Sequence, residues 1–149
     1  MNLIGTALLQ KCVVSWVLSG LFLPAALLGS SHSGAVSSRL LAIIESFRER
    51  MGIEETILVR VVPYNPKLAS SEPFGDGFLI SIDRNFLAGL NAEDTRAMLA
   101  HEMGHIWIFT HHPYLQTERL ANRMALRLVS QESLDRVYER VAVHGQSAR

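Results

Sequence analysis

Residues 99–109 read Leu99-Ala100-His101-Glu102-Met103-Gly104-His105-Ile106-Trp107-Ile108-Phe109, and the pentapeptide from His101 to His105 decides how the rest is read. On a helix, residues four apart share a face. His101 and His105 therefore present two imidazoles to one point, where they can hold Zn²⁺. Glu102 falls beside the coordination position left open, where a carboxylate can serve as general base. The pattern predicts a small zinc-dependent hydrolase, specifically a peptidase acting on peptide or protein substrates. The bland alternative is a buried helix with two incidental histidines.

The flanks favour a helix. Asn91 is a good N-cap, and Glu93 and Asp94 follow where the helix dipole favours negative charge. Met98, Leu99, Met103, Ile106 and Trp107 would bury most of the same helix, which is expected over about 92–109. Pro113 ends the region. Gly104 interrupts the pattern at a cost of about 1 kcal/mol against alanine. Such a residue makes sense if another backbone passes close to the ligand helix.

Zinc catalysis needs a third protein ligand and a position for water. Glu118 is one candidate, early on a helix expected over 115–129, which could return antiparallel after the turn at 110–114. Asn122 lies four residues on and could hold a ligand through an outer hydrogen bond. His111 is the alternative metal ligand, six residues after His105. The three-histidine pattern needs a glycine where this chain has Ile108, a β-branched residue ill suited to positive φ. On an unbroken helix His111 would point away from the His101/His105 face. His112 is a weaker option.

Upstream, Leu40, Ile44, Phe47 and Met51 repeat at helical spacing over 36–51, with Gly52 as a stop. Residues 57–62 and 78–82 read as strands, the latter either a sheet edge that pairs with extended substrate or an ordinary core strand. Residues 63–77, with three prolines and two glycines, read as a loop. A short turn or helix is expected over 85–90, and a last helix over 131–143.

At 149 residues the chain supports one domain. Fourteen basic and fourteen acidic residues cancel, which argues against a nucleic-acid partner. The only cysteine, Cys12, leaves no thiol for a metal site in the remainder, so any zinc must be held by His and carboxylate. No charged residue occurs between Lys11 and Arg39, and 12–29 are almost wholly apolar. As a helix they would span roughly 27 Å. The segment reads as a cleaved signal peptide, a retained membrane anchor or a buried core helix, with Pro24 against the last. The first two place residues 36–149 outside the cytoplasm, exported or anchored, with 1–35 as a separate leader.

From Gly77 through His105 the chain resembles the strand-turn-helix of HtpX-like and CAAX-protease-like gluzincins. The segment Glu118-Arg-Leu-Ala-Asn-Arg-Met-Ala is similar to the third-ligand helix of those enzymes and of ImmA/IrrE-type metallopeptidases. Two departures stand out. Twelve residues separate His105 from Glu118, a short spacing, and Asn122 stands where aspartate is usual. The resemblance implies an α+β, minimal zincin-like domain: a small sheet packed on the active-site helix, followed by a third-ligand helix and preceded by an apolar leader helix. It also implies Zn²⁺ on His101, His105 and Glu118, with Glu102 as base. Tyr114, His112, Tyr138 and His144 are candidate donors to a developing oxyanion. The rival readings are a non-catalytic binding module of this fold and a membrane-anchored subunit of a protease complex.

Overall fold

The computed structural model describes the backbone of residues 31–147 and the side chains of 38–144. The apolar segment 12–29 lies outside the described residues. Among the described residues no helix is long and apolar enough to cross a membrane.

The chain is α+β. Helix α1 (Ser31–Met51) leads into strand β1 (Ile57–Val62), β2 (Ala69–Phe74) and β3 (Gly77–Asp83). Then come α2 (Arg84–Ala88), α3 (Ala92–His111), α4 (Glu118–Ala125) and α5 (Gln131–Ser147). Helix α1 begins five residues before the expected position 36. It buries the predicted stripe of Leu40, Ile44, Phe47 and Met51. Gly52 ends it at φ 67°, the left-handed conformation that glycine adopts without a Cβ penalty.

The sheet order is β1-β3-β2, with β1 parallel and β2 antiparallel to β3. Strand β3 is therefore central, and its residues from Phe78 to Asp83 are all buried. The edge alternative for 78–82 is overturned, because the expected loop 63–77 contains β2. Its sequence, Ala-Ser-Ser-Glu-Pro-Phe, carries no apolar alternation to betray a strand. Proline suits an edge, and the register shows how Pro73 is accommodated. The Asp83 N–H donates to the Leu68 carbonyl at 2.7 Å, so the pairs Ser70–Ser81 and Glu72–Leu79 fall at hydrogen-bonded positions. Ala69, Ser71 and Pro73 then turn their backbone groups to the open side, where proline lacks nothing the ladder needs.

Asp83 ties this edge to the next helix. Its carboxylate caps α2 by accepting from the Asn85 and Phe86 N–H groups at 2.8 and 3.0 Å, and it also accepts the Asn65 N–H at 3.0 Å. Burial pushes the Asp83 carboxyl up. The N–H groups of Phe86, Asn65 and Asn85 outweigh that, with His144 adding to their pull, and the group titrates below the usual carboxylate range. A depressed carboxyl contributes stability above its unfolded pKa, about 4, and loses it as pH falls through the lower folded value. Asp83→Ala is expected to cost about 1 kcal/mol near neutrality and to flatten the acid limb of stability below about pH 4. Denaturant midpoints measured across pH check both.

Helix α3 is the spine. Asn91 caps it by accepting the Asp94 N–H at 2.8 Å. Asp94 itself is fully buried and takes Arg136 at 2.9 Å and Arg140 at 3.0 Å, which fastens α5 alongside. The helix runs unbroken two residues past its expected end. The next helix is shorter than expected. A 3-10 turn at Pro113–Leu115 comes first, and Thr117 then caps α4 by accepting the Leu120 N–H at 3.2 Å. Threonine as a cap starts the helix at Glu118 and not at 115.

Candidate metal centre

The centre is built where α4 crosses α3. His101, Gly104 and His105 share one face of α3, and the backbone of α4 lies directly on it. A Cβ placed on Gly104 would stand 2.4 Å from the Ala121 carbonyl oxygen. The bare glycine lets α4 come this near, and the approach brings Glu118, three residues before Ala121, over both histidines. Gly104→Ala is expected to destabilise the fold by about 2 kcal/mol, since the overpacking penalty exceeds the roughly 1 kcal/mol of helix propensity gained. Thermal unfolding checks this. An unchanged melting point would mean the crossing is looser than described.

Three donor groups converge. The Nε2 atoms of His101 and His105 are 3.2 Å apart. Glu118 places Oε2 3.2 Å from His101 Nε2 and Oε1 3.5 Å from His105 Nε2. Among the described residues, these three are the group of His and carboxylate side chains able to hold a metal ion.

The outer contacts set the tautomers. His101 Nδ1 lies 2.7 Å from Asn122 Oδ1. A carbonyl oxygen only accepts, so the ring proton sits on Nδ1 and Nε2 keeps its lone pair. His105 Nδ1 faces Gln116 Oε1 at 3.3 Å, while Gln116 Nε2 donates to the His105 carbonyl at 3.2 Å, which orients that amide. Two imidazole lone pairs and a carboxylate thus point at one place. Such a set is self-repelling unless positive charge occupies its centre.

Tyr138, on α5, closes the far side. Its hydroxyl donates to Asn122 Oδ1 at 2.9 Å, and its ring meets the His101 ring edge-on at 5.9 Å. Burial raises the phenol's pKa, the Asn122 hydrogen bond opposes this, and the carboxylates of Glu118 and Glu102 add to the rise. The group stays a donor. Glu102, 6 % exposed, faces the same cleft as the histidines. That cleft has a volume of about 420 Å³ and an apolar wall of Leu68, Phe86, Met98, Leu134, Val137 and Val141. Ser71 Oγ donates to the Glu102 carbonyl at 3.4 Å, tying the edge strand β2 to α3 beside the donors.

The other sequence candidates lie apart. His111 stacks on Trp107 at 4.4 Å between ring centres and its Nδ1 lies 3.0 Å from the Trp107 carbonyl, off the donor face. His112 sits edge-on to the same indole, Tyr114 is 98 % exposed, and His144 contacts Phe86. Gln116 and Ser71 were not legible as site residues. Neither belongs to a motif, and each reaches the site only through the turn or the edge strand that carries it.

No protein-family model matches the chain, and no curated protein matches it. Among solved structures it is similar to the crystal structure of the metallopeptidase zymogen of Pyrococcus abyssi abylysin. The TM-score is 0.53 at 20 % identity, over 72 % of this chain and 95 % of that one. At that identity the likeness is one of fold: this chain has a metallopeptidase-like fold.

Proposed function

We propose, from that fold and the convergence of donors upon it, that this chain is a zinc metalloendopeptidase of gluzincin type. His101, His105 and Glu118 would hold the metal, and Glu102 would act as base. The observation that carries the reading is the donor triangle of 3.2, 3.2 and 3.5 Å. Tetrahedral zinc with ligands at about 2.0–2.2 Å sets its donors about 3.3–3.6 Å apart, within about 0.1 Å of the spacings here, so the residues present fit the ion. Two nitrogens and one oxygen are also a donor set that zinc accepts.

When bound, the ion supplies Lewis acidity that lowers the pKa of a water and polarises a peptide carbonyl. The protein's own groups do the rest. Glu102, held in the cleft, takes the proton of the attacking water and returns it to the departing amine. Asn122 and Gln116 keep the two imidazoles in the tautomer that leaves Nε2 free. The open edge of β2 offers the Ser71 N–H and C=O and the Ala69 C=O to an extended substrate chain, which would pair there as an added strand. The apolar wall receives a side chain from that substrate.

The test is hydrolysis of an unfolded protein substrate by the purified chain. Activity is expected to disappear on chelation and to return with added zinc. Activity that persists in the chelator would overturn the reading.

A further inference from the structure

Among the described residues lining the cleft, one cation takes no part in holding the metal or moving the proton. Lys67 is the only lysine or arginine among them, and the other charged groups there are Glu102 and Glu118. Lys67 is exposed and forms no ion pair among the described residues.

Its backbone is held by an unusual device. The Ala69 N–H donates to the Lys67 carbonyl at 2.8 Å around Leu68, whose φ is 65°. This is a γ-turn of the rare, positive-φ kind, and leucine gains nothing from that conformation. Leu68 is the one non-glycine residue at positive φ among the described residues.

A buried asparagine holds the turn in place. Asn65, 7 % exposed, accepts the Lys67 N–H on Oδ1 at 3.0 Å and the Leu68 N–H on its carbonyl at 2.9 Å. Its amide nitrogen donates to Ser70 Oγ at 3.0 Å and to the Ser81 carbonyl at 2.9 Å, and its own N–H is held by Asp83. A strained turn braced from both sides, at the lip of a cleft, marks a place where position matters. The turn sets Leu68 into the apolar wall and Lys67 at the rim, next to the first residues of the open strand edge.

We propose that Lys67 is a specificity-determining residue that recognises a carboxylate on the substrate a few residues from the cleaved bond, either an acidic side chain or the chain's own C-terminus. That role rests on the peptidase reading, but carboxylate binding at Lys67 does not itself depend on catalysis. A chain paired along β2 that passes Ser71 beside the donors also passes Ala69, and its next residues meet Lys67. Apart from the metal itself, Lys67 is the only fixed cation lining the cleft among the described residues, so away from the zinc it confines carboxylate recognition to one substrate position.

The test measures binding separately from turnover. Fluorescently labelled peptides of alanine and leucine, each with one glutamate or one glutamine stepped along the chain, are titrated by anisotropy into zinc-loaded Glu102→Gln protein. A second arm compares a free C-terminal carboxylate with its amide. One glutamate position, or the free terminus, is expected to bind about two- to fivefold tighter, the range of a partly exposed ion pair. The arm that responds names the source. The advantage should vanish in Lys67→Met, survive in Lys67→Arg, and pass to lysine-bearing peptides in Lys67→Glu, with melting points unchanged. Equal binding of all peptides, no binding at all, or a preference that persists in Lys67→Met would overturn the proposal. A preference that depends on Lys67, without cleavage of any peptide by the unaltered chain, would leave the carboxylate site standing and sink the peptidase reading alone.

Discussion

Glu102→Gln is expected to fold, keep its zinc and lose hydrolysis. The substitution conserves volume and hydrogen-bonding capacity, so a side chain that is only 6 % exposed can be replaced without opening a void. Glu102 is not among the three convergent donors, so the metal should stay. What disappears is the group that accepts the water's proton. General base catalysis contributes roughly 10²–10⁴ in rate, and peptide hydrolysis should fall by at least the middle of that range. Rates on an unfolded protein substrate, set beside metal analysis of the same sample, separate chemistry from folding. A variant within tenfold of the parent would assign the base elsewhere. A folded, zinc-loaded parent with no activity on any peptide would favour a binding module over an enzyme.

Glu118→Ala is expected to release the metal, while His111→Ala retains it. Removing Glu118 leaves two imidazoles alone, and a two-ligand site falls short of the three protein ligands that catalytic zinc requires. Affinity should drop by at least the 10–100-fold seen when merely an outer-shell partner is lost. His111 is occupied with Trp107 and lies off the donor face, so its loss touches no ligand. Competition for zinc against a coloured chelator reads both variants. Equal zinc loss in the two would place His111 in the site and require α3 to break near Ile108.

Local signals made much of this arrangement legible in the sequence. The Asn91 cap, the spacing of His101 and His105 and the stripe on α1 each depend on residues within a turn or two of one another, where periodicity and capping act. Gly104 was legible for a related reason. A glycine inside a strong helix needs an explanation, and the close passage of Ala121 supplies it. Glu118 and Asn122 could be chosen because four residues on a helix make one face, and the fold puts that face over the histidines.

Long-range features were hidden. Strand β2 owes its existence to pairing with β3 and not to its own composition, so Ser-Ser-Glu-Pro reads as loop until its partner is known. The central position of β3 was hidden with it. Gln116 lies in an irregular turn, and its contact with His105 follows from how that turn packs. The brace at Asn65 joins groups up to eighteen residues apart, and the positive φ of Leu68 contradicts what its own side chain prefers. Thr117 was the missed local signal. It is an ordinary N-cap, and its side chain starts α4 at Glu118.

The most direct measurement is X-ray absorption at the zinc edge on the purified, folded chain. One zinc per chain is expected in a four-coordinate environment, with two imidazole nitrogens, one carboxylate oxygen and one water oxygen at about 2.0–2.2 Å. The imidazole signature should disappear when His101 and His105 are replaced. A folded chain that takes up no zinc, or zinc bound through a ligand set without Glu118, would contradict a His101–His105–Glu118 metal centre.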